Sequence, residues 1–246
     1  MNDPYSTPPV IPARPPSPGP LSPPPGANPD EAKPIPNFVG AIEAILREPR
    51  RVMFQLRQPG SGRLIAAMLT VSVVCGLIYG LIAGTFSGST QLWAAPIKIA
   101  GGLLISALIC LPSLYIFSCL SGSKARLGEV SGLIAGFLLL MTILLIGFAP
   151  VAWVFSQSTE SVAAMGALHL AFWFIATCFG IRFLSAAFAH YSQSGDGLKV
   201  WIVIFLLVML QMSTALRPII GTADTVLPLQ KKFFVSHWVD CLKAAQ

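Results

Sequence analysis

Few residues in this chain have the chemistry of a site. The sharpest candidate is Arg182, which lies in a long apolar stretch about eight residues from its basic, cytoplasmic end. At 1.5 Å per residue that is a depth of about 12 Å, and a charge inside a span costs roughly 2.5–3.5 kcal/mol on insertion scales. Two arrangements answer that cost. The guanidinium can snorkel to the headgroups, or it can pair with Glu129 at the start of the preceding span and tie two helices together. His169 lies near the opposite end of the Arg182 stretch, His190 ends it beside Tyr191, and His237 stands next to Trp238. A histidine at such an interface more often bonds a loop carbonyl than carries protons. The three are not spaced to share a metal in the manner of H-E-x-x-H.

No enzyme constellation appears. The spans contain no paired carboxylates, no G-x-S-x-G and no phosphate-binding glycine loop, and Glu129 and Glu160 fall at opposite membrane faces. No catalytic residue, cofactor or metal site is therefore assigned. Pro112 and Pro150 interrupt two spans at comparable places, a pattern found in helices that line a transport site. The spans otherwise lack the polar side chains that a hydrophilic solute needs.

The elements that must hold these residues are membrane helices. Of 246 residues, 54% are hydrophobic and 11% charged, with a mean hydropathy of +0.71. Soluble domains carry about 25% charge, so the expectation is an all-α polytopic bundle. Five apolar stretches run over residues 63–86, 97–120, 131–155, 165–190 and 200–216, each long enough to cross a bilayer. The domain plan is a proline-rich disordered tail over 1–36, a basic amphipathic segment over 37–62, a five-span domain over 63–217 and a short interfacial tail over 218–246. In the last of these, Phe234, Trp238 and Leu242 are spaced four apart. The start lacks the charged-then-apolar pattern of a cleavable signal peptide, and the five scattered cysteines form no disulfide or zinc pattern.

Small residues mark the faces where helices should pack. Gly76, Gly80 and Gly84 recur every fourth residue in the first span; Gly102, Ser106 and Cys110 do so in the second. With no polar group in either span to compete, the two stripes are expected to meet. Before the first span, Phe38, Ile42, Ile45, Leu46, Val52, Met53 and Leu56 keep helical spacing, split or kinked at Pro49. Arg47, Arg50, Arg51, Arg57 and Arg63 flank them, so this segment is expected to lie in the membrane surface with its arginines on lipid headgroups. Nucleic acid is the weaker partner for that charge. Segments such as Pro12-Ala13-Arg14-Pro15 suit an aromatic groove of a partner protein.

The basic residues also orient the chain. The arginine cluster, Lys124, Arg126 and Lys199 fall on one side, and the opposite loops carry none. The positive-inside rule thus puts the amino terminus in the cytoplasm and, after five crossings, the carboxyl terminus outside. Arg217, Lys231, Lys232 and Lys243 conflict with that placement; a re-entrant fifth stretch would remove the conflict.

A proline-rich tail, the I-L-R-E-P-R-R-V-M-F segment with Arg47–Arg50, and five spans over residues 38–217 together resemble the Yip family of Rab-interacting membrane proteins and their bacterial relatives. That resemblance implies a role in vesicle traffic where the cell has such traffic. The phrases P-I-K (Pro96–Lys98), L-P-S-L-Y (Leu111–Tyr115), S-G-S-K (Ser121–Lys124) and G-F-A-P-V (Gly147–Val151) are similar to uncharacterised bacterial membrane proteins, some labelled actin-binding of the Wiskott–Aldrich homology type. Leu229-Gln230-Lys231-Lys232 departs from the expected actin phrase. The sequence thus reads as a bacterial inner-membrane scaffold or adaptor that packs with itself or another membrane protein; the alternative is a small-solute transporter or channel subunit.

Overall fold

A computed structural model of the chain describes residue 26 and residues 28–88, 91–189 and 196–216. These residues form an all-α fold with seven α-helices. Two are short, α1 (Phe38–Arg47) and α2 (Pro49–Leu56). Five are long and apolar enough to cross a membrane: α3 (Gly62–Ser87), α4 (Gln91–Leu120), α5 (Leu127–Ser158), α6 (Val162–Ala189) and α7 (Asp196–Ala215). The chain is an integral membrane protein. The proline-rich residues 1–25, His190, the carboxyl tail with Phe234, His237, Trp238 and Leu242, and the basic residues from Arg217 onward lie outside the described residues.

The bundle is built around α5. In its most apolar 18-residue stretch 72% is buried, against 22–33% in the other four spans. Helices α3 and α6 pack directly on it, α4 packs on α3, and α7 packs on α4. The outer helices turn Leu77, Ile78, Leu108, Phe174, Phe179 and Val203 outward, where hydrocarbon replaces water and an apolar surface costs nothing. Inside, Trp201 and Phe205 of α7 stack at 5.1 Å, and Phe137 of α5 meets them edge-on at 6.2 and 5.0 Å. The Trp201 indole N–H is satisfied by donating to the Cys110 carbonyl of α4 at 2.8 Å, as a buried indole requires.

Helix α4 begins at Gln91, six residues ahead of the expected span. Pro96, just ahead of that stretch, stands inside the helix together with Pro112. The consequence concerns Lys98. It is seven residues into α4 and only 6% exposed, so the expectation that no polar group occupies the first two spans does not hold.

The basic segment is split at Pro49, as its sequence predicts, but its apolar face is placed differently from expectation. Pro49 starts a second helix, and Glu48 forms the joint between the two. The apolar faces do not lie on lipid. Ala41, Ala44, Ile45, Val52, Met53 and Leu56 are buried against α3, α5 and α6, so α1–α2 closes the end of the bundle from which α3 and α5 start. Phe38, Val39 and Leu46 stay exposed on the far side. Gly60 makes the turn into α3 with φ +88°, a left-handed conformation that glycine adopts without strain.

Candidate functional site

Two regions gather chemistry, one at each end of the bundle. The first is the basic end. Pro29–Ala32 forms a 3₁₀ turn, with the Asn28 side chain accepting from the Asp30 amide at 3.2 Å. The ammonium of Lys33, 2.7 Å away, holds the Asp30 carboxyl below the usual carboxylate range. This turn is clasped onto α2. Arg50 Nε donates to Glu31 Oε1 at 2.8 Å, and Glu31 also accepts from the Gly26 amide. Arg51 donates to the Lys33 and Pro34 carbonyls at 2.9 and 3.0 Å, and the Gln55 amide donates to the Ala32 and Lys33 carbonyls. The proline-rich region is therefore ordered from Asn28 onward and is not a free tail to residue 36.

This clasp redirects the arginines. Arg47 pairs with Glu43 at 3.3 Å, Arg50 with Glu31, and Arg51 with Glu48 at 3.0 Å. All three spend bonds on their own chain that lipid phosphates were expected to take. Arg63 is exposed in the first turn of α3, and Arg57 lines a cleft beside Arg126 and Glu129.

Glu129 and Arg182 are not joined: neither side chain takes part in the Lys33–Asp30, Arg47–Glu43, Arg50–Glu31 or Arg51–Glu48 pairs. Register is the reason. Helices α5 and α6 run antiparallel with Gly136 facing Phe183, so the residue level with Glu129 lies about two turns beyond Arg182. Helix α6 also turns Phe183 and Leu184 inward, which leaves Arg182 exposed. Snorkelling is the arrangement that this geometry permits.

The small-residue stripes are both at helix contacts, but with different partners. Gly76 faces Ala100, Gly80 faces the Pro96 backbone and Gly84 faces Gln91 and Leu92. Gly102 faces Leu216 and Met212 of α7, the Ser106 hydroxyl donates to the carbonyl of Gly102 in its own helix, and the Cys110 carbonyl serves Trp201. Register separates the two stripes: on α4 the first is level with Leu92 to Ala100, so Gly102, Ser106 and Cys110 lie beyond its Gly76 end.

The second region is a polar layer in the other half of the bundle. Tyr79 of α3 is fully buried, and its hydroxyl lies 2.6 Å from Nδ1 of His169 on α6. The sequence reading had His169 bonded to a loop carbonyl; its partner is a tyrosine in another span. His169 Nε2 has no hydrogen-bond partner and is buried, as are both side-chain amide atoms of Gln91. The contacts of Gly76 with Ala100 and Gly80 with Pro96 put Lys98 level with Tyr79. Counted along α3, this layer sits about 12 Å from the helix end at Ser87. Phe172 closes it, 6.5 Å from the His169 ring and stacked on Phe148 at 4.7 Å. Sequence reasoning missed Lys98 and Tyr79. The available signal was a lysine one half-turn after a proline inside an apolar run.

No family model, curated protein or solved structure matches the chain. The finding that stands is a five-span helical membrane protein without a family assignment.

Proposed function

We propose that this protein is a non-enzymatic membrane scaffold or adaptor, held in a bacterial inner membrane with its amino terminus in the cytoplasm, that packs with itself or another membrane protein. The observation that supports it most is the clasp. Residues 28–36 are pinned to α2 by Glu31–Arg50 and by the Arg51 and Gln55 contacts, and α2 is pinned to the bundle through Leu56. The proline-rich sequence ahead of Gly26 therefore starts from a fixed point on the membrane domain. Proline segments lose little entropy when they dock in aromatic grooves, so a fixed launch point suits recruitment. The test is purification of the full chain from native membranes in mild detergent, with and without replacement of the prolines between Pro8 and Pro25 by serine. A stoichiometric partner that is lost with the prolines supports the adaptor; solute uptake into proteoliposomes by the purified protein overturns it.

The polar layer favours one second reading, a transporter. A buried lysine, tyrosine and histidine at one depth are the side chains that proton or solute pathways use. In that case Lys98→Met and His169→Phe would each abolish uptake while leaving the protein folded.

A further inference from the structure

We propose that the side of α1 turned away from the bundle is sunk in the lipid leaflet at the basic end, with Phe38, Val39, Ile42 and Leu46 against acyl chains. Helix α1 carries more apolar surface than the bundle covers. Phe38, Val39 and Leu46 are exposed, and Ile42 is only half-buried. Single exposed apolar side chains are ordinary on a protein surface. These four share one strip of a helix of ten residues.

Helical spacing divides α1 into three faces. Ala41, Ala44 and Ile45 fall in one arc of about 100° and are buried, in a helix that packs on both α3 and α5. Phe38, Ile42, Leu46 and Val39 fill the adjoining arc, also about 100° wide. Glu43 and Arg47 occupy the third face, exposed and paired with each other at 3.3 Å. A cap on the bundle surrounded by water needs only two faces, one buried and one polar. A third face that is apolar fits a helix with protein on one side, hydrocarbon below and water above.

Depth decides the occupant. A Cβ on Gly136 of α5 would stand 3.4 Å from Ile45 Cδ1 and 3.0 Å from the Phe183 ring of α6. Gly136 lies seven residues beyond Glu129, the carboxylate in the first turn of α5, so Ile45 reaches about 10 Å past that charge. Helix α5 has 32 residues and is about 48 Å long, against about 30 Å of hydrocarbon. Centred, it projects about 9 Å at each end, while Gly136 stands about 13 Å from its start and so within the hydrocarbon. Ile45 borders the Phe38 strip on the helix surface. The strip therefore faces outward at the level where the leaflet turns from headgroups to acyl chains, and acyl chains cover it.

The test places p-benzoylphenylalanine, which bonds to a neighbouring C–H group on irradiation, at Phe38, Leu46, Glu43 or Leu108, one at a time. The full chain is reconstituted in vesicles of dioleoyl phosphatidylcholine and dioleoyl phosphatidylglycerol and weighed intact after irradiation. Leu108, on the outward side of α4, is the lipid-facing control and Glu43 the water-facing one. Phe38 and Leu46 are expected to gain the mass of one phospholipid, at a yield comparable with Leu108 and several-fold above Glu43. Val39, also exposed, carries the probe if either variant does not fold. Yields at Phe38 and Leu46 no higher than at Glu43 would overturn the proposal by leaving the strip in water. A crosslinked dimer would overturn it by making the strip an interface between copies. The same variants are irradiated in native membranes, where a discrete protein adduct exceeding the phospholipid adduct would overturn it in favour of a protein partner.

Discussion

Gly80 and Pro96 meet backbone to backbone: a Cβ built on Gly80 would stand 2.5 Å from the Pro96 α-carbon and 3.1 Å from the Ala95 carbonyl oxygen. No side chain can swing aside there, because the obstacle is main chain. Proline supports the approach, since it has no N–H to satisfy at that surface. Gly80→Ala is therefore expected to cost about 1–3 kcal/mol through overpacking, despite the gain in helix propensity. Gly101→Ala, where nothing lies within 4 Å, should hold or raise the unfolding midpoint in detergent. Equal midpoints for the two variants would remove the claim that α3 and α4 touch at Gly80.

The Tyr79–His169 bond links α3 to α6 in a medium where a lost partner is not replaced by water. Tyr79→Phe leaves His169 with neither ring nitrogen bonded and should destabilise by about 1–3 kcal/mol. His169→Phe removes an orphaned nitrogen together with the bond, so the double variant should lose less than the two single losses added. A double-mutant cycle on thermal unfolding reads the coupling; strict additivity would mean that the bond contributes nothing.

How much of this was legible in the sequence depends on range. Five spans follow from hydropathy, because each needs only its own residues. Contacts between elements needed register, which periodicity does not contain. Gly76, Gly80 and Gly84 were readable as a face, but only the register of α3 against α4 decides that their partners are Ala100, Pro96 and Gln91. Glu129 and Arg182 had compatible charges and nearby helices, yet stand about two turns apart in height. Lys98 was hidden because it stands second in an apolar stretch counted from Ile97, whereas the helix begins at Gln91 and carries it seven residues in. The Glu31–Arg50 pair spans 19 residues, out of a proline-rich stretch where nothing periodic announces a docked turn.

That pair gives a prediction about order at the basic end. Glu31 is the more buried partner, its side chain 12% exposed against 32% for Arg50. Glu31→Gln should release the 3₁₀ turn from α2 at a cost of about 1 kcal/mol, a cost that shrinks as salt is raised. Amide exchange over residues 28–36 is the measurement. Faster exchange confined to that segment is expected, with α3–α7 unchanged; exchange at the wild-type rate would mean that Arg51 and Gln55 hold the segment without the ion pair.

Leu56 and Gly132 decide whether α1–α2 belongs to the bundle or to the lipid surface. Leu56 is 1% exposed, and a Cβ on Gly132 would stand 2.4 Å from its Cδ2. The obstacle here is the tip of a flexible side chain, unlike the backbone that Gly80 meets. Gly132→Ala should therefore cost less than Gly80→Ala, because Leu56 can change rotamer at about 0.5–1.5 kcal/mol. Leu56→Ala should cost about 2–5 kcal/mol through lost burial and the cavity left behind. Together the two changes are expected to be less than additive, since the new methyl group at Gly132 occupies part of the space that Leu56 vacates. A surface helix resting on lipid would give a different result: Gly132→Ala would raise stability through helix propensity, and Leu56→Ala would weaken membrane contact without coupling to it.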